Sequence, residues 1–220
     1  MDTGLLVKYF TNEKKGASKM IPTATAERLC KIYGLLQIIK PDTEYVSSKT
    51  LATMMGTTGH TIRKDISALK VTNFTRRGYH VDELSNTLGK ALKLSRPYKS
   101  CIVGLGRLGN ALIDYESFKN DGFDILAGFD SNINKVERLQ TSIDVYPSTD
   151  IENIVKGKNI EIGIIAVPHK AAQEVATTLI NSGVKGILNF SNAQIQVPKG
   201  VVLYNMDFTS ALRFVVSQMN

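Results

Sequence analysis

The 220-residue chain is long enough for one large domain or two modest ones, and its 43% hydrophobic and 21% charged residues are typical of a globular protein. No run of 18 apolar residues occurs, which excludes an apolar membrane-spanning helix. Of the net charge of +7, residues 1–100 hold 17 Lys and Arg against 8 Asp and Glu, whereas residues 101–220 hold 10 against 12. The basic half fits a polyanionic partner such as nucleic acid, and it equally fits a solubilising surface.

The N-terminus and the two cysteines bear on where the protein works. Residues 1–20 lack an apolar segment followed by a small-residue cleavage site, so we expect a flexible basic tail rather than a signal peptide. Cys30 and Cys101 lie far apart, each inside an apolar pattern. This spacing favours buried, reduced thiols, which are typical of a cytoplasmic protein.

The first predicted helix begins near Pro22, which suits a first helical turn because its missing N–H costs nothing there. Apolar side chains at i, i+3, i+4 and i+7 then mark one buried face, formed by Leu29, Ile32, Tyr33 and Leu36. The turn signal at 40–42 ends this pattern.

Two further short helices predict a helix-turn-helix. A serine cap at 47–48 and Gly56 bound the first of them, over 49–55. The second is expected over 59–69, with its apolar residues on one face. In a helix-turn-helix the second helix enters the major groove of DNA.

A small hairpin is expected next, because β-prone residues in 73–81 flank the turn 76–78. Such a hairpin would be the wing of a winged helix. Asp82 is then expected to cap a fourth helix that carries Leu84, Leu88 and Leu92. The break at 95–97 is the predicted domain boundary.

The exposed side of the third helix and the tip of the hairpin carry side chains suited to DNA. Arginine can pair with guanine edges, while lysine, serine and threonine contact phosphates or bases. The predicted DNA-binding residues are Ser48, Lys49, His60, Thr61, Arg63, Lys64, Ser67, Arg76 and Arg77. The alternative is that these are solvated charges on a small helical domain.

Beyond residue 97 the rhythm changes to apolar, Ile- and Val-rich runs that alternate with helical segments. The strand-like runs are CIVG, DILAGFD, EIGIIAV, GILNF and VVLYNM. Strands covered on both faces have such sequences. The alternation predicts an α/β fold class with a doubly wound parallel sheet of Rossmann type over 98–206.

A G-x-G-x-x-G turn follows the first of these strands and opens a helix. Gly104 permits the tight turn, Gly106 lets a pyrophosphate approach the backbone, and Gly109 lets the helix pack closely. Asp130, 21 residues after Gly109, can accept both hydroxyls of an adenosine ribose and so favours NAD(H) over NADP(H). Alternatively, Asp130 is only a cap in its loop.

An enzyme would need more than this dinucleotide-binding turn. A dehydrogenase requires a general acid or base at the nicotinamide and usually a second, substrate-holding domain. His169 follows a strand at the expected rim, but such a residue more often caps or lines the turn. We therefore predict no catalytic residue and no metal site. A small NAD-dependent oxidoreductase with an accessory N-terminal domain is the alternative function.

The last predicted helix, over 207–219, carries apolar residues over more than one stripe, so we expect burial on more than one side. A partner subunit would cover it, and a two-fold dimer would match a palindromic operator. The alternative is a last helix packed onto its own sheet.

Together these motifs resemble the family of the redox-sensing transcriptional repressor Rex. The specific part of the resemblance is the ordered set TIRKDIS (61–67), GLGRLG (104–109) and GILNF (186–190). It implies a winged-helix DNA-binding domain over 21–95, a Rossmann domain over 98–206, and a homodimer that exchanges the C-terminal helices, 207–220. It also implies release from the operator when NADH replaces NAD.

The resemblance further assigns roles to single residues. Phe208 resembles the residue that a partner's helix offers to the nicotinamide pocket, and Tyr115 and Asp207 resemble members of a polar network that distinguishes the redox forms. The NAD(H)-binding residues that it implies are Gly104, Leu105, Gly106, Arg107, Leu108, Gly109, Tyr115, Asp130, Val167, Pro168, Asn189, Phe190, Asp207 and Phe208.

The chain departs from the family pattern at two places. Gly34 stands where the family usually has an arginine, the third member of the network, and a glycine cannot pair with Asp207. The segment 68–75 lacks the family's usual Tyr-Phe-Gly. These departures bear on the redox response and the operator sequence. A DNA-binding regulator whose Rossmann domain takes another nucleotide, or none, is therefore a second alternative.

Overall fold

A computed structural model describes residues 6–7, 21–69, 74–138 and 141–219. The tail predicted over 1–20 lies outside these ranges apart from Leu6–Val7, a short strand that pairs antiparallel with Ile21–Pro22. The chain divides into two compact units, the first ending at Arg96 and the second beginning at Pro97.

The first unit is mainly helical, with a small sheet. Its elements are β1 (Leu6–Val7), β2 (Ile21–Pro22), α1 (Thr23–Ile39), β3 (Tyr45–Val46), α2 (Ser48–Met55), α3 (Gly59–Ser67), β4 (Phe74–Thr75), β5 (Gly78–His80) and α4 (Val81–Ala91). Strands β4 and β5 form the expected hairpin, and β3 extends it to a three-stranded antiparallel sheet of order β3-β5-β4.

One apolar core holds the four helices of this unit together. The predicted face of α1 is buried at Leu29, Ile32 and Leu36, while Tyr33 is half-buried. Helix α3 contributes Ile62 and Ile66 to the same core. Burying side chains of this size is the main stabilising contribution to a unit this small.

Several helix ends differ from the sequence prediction. Pro22 lies just before α1, as its N-cap, rather than in the first turn. Helix α4 begins at Val81 with His80 as N-cap, so Asp82 lies in the first turn instead of capping it. Helix α3 ends at Ser67, two residues before the expected end. The fourth helix was expected to carry Leu92, which instead follows the last residue of α4.

The second unit alternates strands and helices. Its elements are β6 (Tyr98–Val103), α5 (Arg107–Ile113), α6 (Glu116–Asn120), β7 (Phe123–Asp130), α7 (Ile133–Arg138), β8 (Val145–Pro147), α8 (Ile151–Lys158), β9 (Ile162–Ile165), α9 (Ala172–Asn181), β10 (Gly186–Asn189), β11 (Val202–Asn205) and α10 (Phe208–Ser217). Short 3₁₀ turns precede α8 and α9.

The six strands of this unit form one parallel sheet of order β11-β10-β9-β6-β7-β8. This is the doubly wound Rossmann order, in which the direction of winding reverses between β6 and β9. Successive residues of β6 pack into separate clusters, Cys101 and Val103 in one and Ile102 in the other, because both faces of a central strand are covered. The carboxyl ends of β6 and β9 therefore meet at the switch point.

Strand β8 was not predicted. Its three residues, Val145–Pro147, are all half-buried, and the strand lies at the edge of the sheet. A strand this short has no alternation to read, and only its pairing with β7 defines it.

The two cysteines differ in their surroundings. Cys101 is fully buried in β6, and burial raises the pKa of its thiol to about 12. Cys30 is exposed on α1, so the prediction that it is buried is wrong. The apolar residues around it placed it near a buried face, but Cys30 follows the buried Leu29 and so points about 100° away from it.

Helix α10 does not pack its apolar side chains against its own sheet. All residues of α10 are exposed, including Leu212 at 67%, Phe214 at 66% and Val216 at 66%. Within the residues that the structure describes, the expected burial on more than one side is therefore absent, and so is the alternative of a helix buried on its own sheet. Within the described part of the chain, no helix is long and apolar enough to cross a membrane.

Candidate functional site

The three glycines of the turn between β6 and α5 differ in what a side chain would meet at each position. Gly104 has a φ of +94° and lies against the backbone of Ala166, which a Cβ would meet at 2.6 Å. A Cβ at Gly109 would collide with the carbonyl oxygen of Gly104. A Cβ at Gly106 would meet nothing within 4 Å. The turn is thus closed on the protein side and open at the glycine where a pyrophosphate would approach.

A cavity of about 660 Å³ lies over this turn, at the switch point of the sheet. Of the residues predicted to bind a dinucleotide, Gly104, Gly106, Asp130, Val167 and Pro168 line it. Its size is in the range of ligand-binding clefts, and the carboxyl end of a doubly wound sheet is where such clefts occur.

Sequence reasoning missed several polar residues of the same cavity. Ser131, Ser148, Glu174 and Thr178 also line it. They come from three separate segments, namely the loop after β7, the 3₁₀ turn before α8 and helix α9, so no local pattern could have brought them together.

Asp130 ties the second strand to the glycine turn. Its Oδ2 accepts a hydrogen bond from the backbone N–H of Leu105 at 2.9 Å, and its Oδ1 accepts one from the N–H of Asn132 at 2.9 Å. The carboxylate is buried and also lines the cavity. The contact with Asn132 fits the loop-cap interpretation of Asp130, whereas the contact with Leu105 joins it to the separate glycine turn. Because the carboxylate also lines the cavity, its position is compatible with contact to a ligand there.

The remaining residues of the turn lie around the start of α5. Leu105 is buried, whereas Arg107 and Leu108 are exposed in the first turn of the helix. Tyr115, also exposed, precedes α6 and packs edge-on against Phe118 with ring centroids 5.1 Å apart.

Asn189 is the last residue of β10 and Phe190 follows it, and the surroundings of the two side chains differ. The side chain of Asn189 is buried, and its hydrogen bonds go to protein atoms rather than toward the cavity. The ring of Phe190 stacks at a tilt on Phe208, with centroids 5.9 Å apart.

Asp207 caps α10 by accepting a hydrogen bond from the N–H of Ser210 at 3.0 Å. The hydroxyl and the N–H of Ser210 hold the pKa of the Asp207 carboxyl below its usual value.

In the first unit, helix α3 presents the predicted DNA-binding side chains to solvent. His60, Arg63, Lys64 and Ser67 are exposed, and Thr61 is half-buried. The helix begins at a capped turn, where the hydroxyl of Thr58 accepts the N–H of Thr61 at 3.2 Å. A capped N-terminus of this kind holds the first residues of a recognition helix in place.

Ser48 differs from the other predicted contacts because it is buried. Its hydroxyl accepts a hydrogen bond from Nη1 of Arg63 at 3.0 Å, so it orients an arginine of the recognition helix. The adjacent Ser47, and not Ser48, caps α2 through the N–H of Thr50. Burial raises the pKa of the Tyr79 hydroxyl, and the nearby charge of Arg63 partly offsets this.

The wing carries the remaining charges. Arg76 and Arg77 are exposed at the tip of the β4–β5 hairpin, and the guanidinium of Arg77 lies over the ring of Tyr45 at 5.6 Å. Lys49 is exposed in the first turn of α2. No basic residue of this set is part of an apolar core, so all are available to a polyanion.

An ion pair inside the helix-turn-helix was not anticipated. Arg28 of α1 donates to both oxygens of Asp65, from Nε at 2.6 Å and from Nη2 at 2.8 Å. Asp65 belongs to the TIRKDIS motif but is only 3% exposed, so it holds α3 to α1 rather than facing solvent.

These features define a class: a winged-helix DNA-binding unit joined in one chain to a dinucleotide-binding unit. Two family models match the chain, "Putative DNA-binding protein N-terminus" over residues 20–67 and "CoA binding domain" over residues 95–193.

Known proteins narrow the class to one family. The redox-sensing transcriptional repressor Rex of Clostridioides difficile is 35% identical over 196 residues, covering 89% of this chain and 93% of the relative. The crystal structure of RSP, a Rex-family repressor, in complex with β-NADH matches with a TM-score of 0.80 at 32% identity, covering 92% of this chain and 94% of RSP. RSP in complex with β-NAD+ and operator DNA matches with a TM-score of 0.81 at 32% identity, covering 91% and 92%. The chain belongs to the Rex family of redox-sensing transcriptional repressors.

Proposed function

We propose that this chain is an NAD(H)-responsive transcriptional repressor that binds a palindromic operator as a homodimer and leaves it when NADH replaces NAD. The observation that carries the proposal is the presence, in one chain of this family, of an exposed basic recognition helix and a glycine turn open only where a pyrophosphate would lie. The relatives are transcriptional repressors, which argues against the alternative of a small NAD-dependent oxidoreductase. Such a repressor acts in the cytoplasm, where operator DNA and the NAD(H) pool are both present.

On the DNA side, α3 supplies the residues that would enter the major groove. Arg63 and Lys64 lie on its exposed side, and Ser48 holds the Arg63 guanidinium in one orientation. A preoriented arginine loses less conformational entropy when it pairs with a guanine edge. Arg76 and Arg77 of the wing would contact phosphate or the minor groove, as basic residues of a second element commonly do.

On the nucleotide side, the open position at Gly106 admits the pyrophosphate of NAD(H), and Asp130 faces the ribose. The carboxylate accepts the N–H groups of Leu105 and Asn132 and lines the cavity, and a carboxylate is a suitable acceptor for ribose hydroxyls. Its negative charge would repel a 2′-phosphate, which favours NAD(H) over NADP(H). Bound NAD(H) would supply the redox signal, since its two forms differ by the positive charge of the nicotinamide ring.

The dimer is supported by α10. This helix exposes large apolar residues around its surface and follows directly on the Phe190–Phe208 ring pair. Exchange of the helix with a partner subunit would bury these side chains and bring the partner's Phe208 to the nicotinamide pocket. A two-fold dimer then presents two winged helices to the two halves of a palindrome.

The response follows from linkage. A ligand shifts the balance between DNA-binding and released arrangements only by its difference in affinity for the two. A tenfold difference corresponds to about 1.4 kcal/mol, which suffices when the arrangements are closely balanced. Gly34 brings no cation to the Asp207 carboxylate, so the discrimination between NAD and NADH rests in this chain on other groups.

A gel shift on DNA from the protein's own promoter tests the proposal. Titration with NADH should dissociate the complex, while the same concentration of NAD should leave it intact. NADPH serves as a matched control, and Asp130 predicts that it acts only at much higher concentration. Equal effects of NAD and NADH would contradict a redox response. The absence of any saturable NADH binding would favour the alternative of a regulator that takes another nucleotide or none.

A further inference from the structure

At the carboxyl end of β10 lies a side-chain amide whose donors and acceptors are all used in hydrogen bonds. Asn189 is 1% exposed, and its Nδ2 donates to the side-chain oxygen of Asn205 at 2.8 Å and to the carbonyl oxygen of Ala193 at 3.0 Å. Its Oδ1 accepts the N–H and the hydroxyl of Ser191, at 2.9 and 2.6 Å. Both donors and both lone pairs of the amide are used, so its orientation is unique.

The partner of this amide belongs to the edge of the sheet. Asn205 is the last residue of β11 and pairs in register with Asn189 across the two strands. The N–H of Met206 donates to the carbonyl oxygen of Asn189 at 2.8 Å, which adds a backbone contact to the side-chain contact. The end of β11 is thus tied to β10 by two hydrogen bonds.

The C-terminal helix starts almost immediately after this tie. Only Met206 and Asp207 separate Asn205 from the first residue of α10, and Asp207 is itself occupied in capping the helix. The side chains of α10 are all exposed, and even Phe208, which contacts Phe190, is 53% exposed, so packing on its own sheet contributes little to the orientation of the helix. Its direction depends on the connection at Asn205.

The Asn189–Asn205 hydrogen bond also links the positions of two aromatic rings, those of Phe190 and Phe208. Phe190 directly follows Asn189, and its N–H donates to the carbonyl oxygen of Ile165 at 2.8 Å. Phe208 begins α10, three residues after Asn205, and its ring centroid lies 5.9 Å from that of Phe190. Each ring therefore belongs to a residue that closely follows one member of the Asn189–Asn205 pair along the chain.

We infer that the Asn189–Asn205 pair is an amide clamp that sets the direction in which α10 leaves the sheet and thereby positions Phe208. Both residues are positioning residues, acting through the helix rather than on the nucleotide. The inference deepens the proposed function, on which it rests, by naming what makes the nicotinamide response depend on the helix. A loosened clamp lets Phe208 sample several directions, and the affinity difference between NAD and NADH shrinks accordingly.

Asn205 is the residue to change, because it is exposed whereas Asn189 is buried among its partners. Asn205→Ala removes the acceptor and still leaves the Asn189 amide bonded to Ala193. Asn205→Asp keeps an oxygen that accepts the same N–H and is the conservative variant. Gln194→Ala, which deletes an exposed amide from the neighbouring loop, is the matched control.

Two readouts separate the clamp from the proposed function. One is the NADH concentration that releases half of the operator complex; the other is hydrogen exchange of the peptide 201–212 without any nucleotide. For Asn205→Ala we expect about fivefold more NADH and at least about threefold faster exchange, the effect of one lost hydrogen bond. Asn205→Asp and Gln194→Ala should stay within about twofold of the unaltered protein in both.

Two outcomes would overturn the clamp: unchanged exchange and release in Asn205→Ala, or equal impairment in Asn205→Ala and Asn205→Asp. Failure of NADH to release the unaltered protein overturns the proposed function instead, and the exchange measurement still decides whether the clamp holds the helix.

Discussion

The three glycines of the nucleotide turn differ in what a side chain would meet at each position. Gly104 and Gly109 are enclosed by the backbone of the turn and of Ala166, whereas Gly106 faces the cavity and has ordinary backbone angles, with φ of −67°. A methyl group at the first two would strain the protein itself. At Gly106 it would be harmless to the fold and would occupy space that a ligand needs.

Gly106→Ala should leave the free energy of unfolding within about 0.5 kcal/mol of the unaltered protein and weaken NADH binding at least about tenfold. Gly109→Ala, the matched variant in the same turn, should instead destabilise the fold by about 2 kcal/mol, because its Cβ collides with a carbonyl oxygen. Urea unfolding and calorimetric titration with NADH measure the two effects. Unimpaired NADH binding by Gly106→Ala would contradict the placement of the pyrophosphate.

Ser48 illustrates how a buried hydroxyl can act on DNA recognition indirectly. Ser48→Ala should weaken operator binding by about threefold to tenfold, since the Arg63 guanidinium loses the acceptor that orients it. The control is Thr87→Ala, which deletes a hydroxyl bonded within α4. Fluorescence anisotropy measures the affinity of both variants for operator DNA. Equal affinities for the two variants would contradict the positioning role of Ser48.

The two thiols should react very differently in the folded protein. A thiol reagent should modify Cys30, which is exposed, and leave Cys101 untouched. Partial burial and the nearby charge of Glu27 raise the pKa of the Cys30 thiol as well, so its modification should become faster from pH 7 to 9. The thiolate is the reactive form, so the raised pKa of Cys101, about 12, keeps it unreactive on titration from pH 7 to 9. Counting modified thiols by mass spectrometry, before and after denaturation, checks this. Modification of both cysteines in the native protein would mean that β6 opens readily.

At the scale of elements, the recognition helix is held by three different kinds of contact. Ile62 and Ile66 bury its inner face, Asp65 pairs with Arg28 of α1, and Arg63 bonds to Ser48 of α2. The apolar contacts stabilise the packing, but they are not directional. The ion pair and the hydrogen bond fix the rotation of α3 about its axis, and hence which side chains face DNA.

Asp65→Ala should lower the free energy of unfolding by about 2 kcal/mol, because it leaves a guanidinium without the carboxylate that accepts two of its hydrogen bonds. Arg28 is 32% exposed, so water recovers part of that loss. Glu152→Ala breaks an exposed pair with Lys156 on α8 and should have no measurable effect. If urea denaturation gives the same loss for both variants, the Arg28–Asp65 pair has no special role.

At the scale of the whole molecule, the two units carry different features, and the C-terminal helix is the element that we propose connects the two chains of the dimer. The excess of basic residues lies in the first 100 residues, while the second unit carries the cavity and the exposed apolar helix. An exposed apolar surface of this kind, which the described part of the chain leaves uncovered, is typical of an interaction site. In the proposed dimer the partner subunit would cover it.

Leu212→Glu should convert the dimer to monomers at micromolar concentration, since it places a charge in the middle of the surface that the partner covers. Gln218→Glu introduces the same charge just beyond the last turn and should leave the dimer intact. Sedimentation velocity distinguishes the two states. A Leu212→Glu variant that stays dimeric would place the interface elsewhere on the molecule.

Much of the architecture was predictable because it depends on neighbours along the chain. The period of apolar residues in α1, the caps at the two ends of α2 and the glycine turn at 104–109 are local features, each with one physical solution. The edge strand β8 was missed because a three-residue, half-buried strand has no period. Cys30 was misplaced because an apolar neighbourhood does not give the phase of a helix.

What the sequence by itself determined about this protein is its class: a winged helix, a dinucleotide turn and an unusually apolar last helix, all read from local spacing. Only the tertiary structure decided which polar groups satisfy one another. It turned Ser48 inward to Arg63, paired Asp65 with Arg28, and joined Asn189 to Asn205. These partners lie 15 to 37 residues apart. Local spacing predicts which side chains share a face, but hydrogen bonds between distant segments form only where folding brings donor and acceptor within about 3 Å.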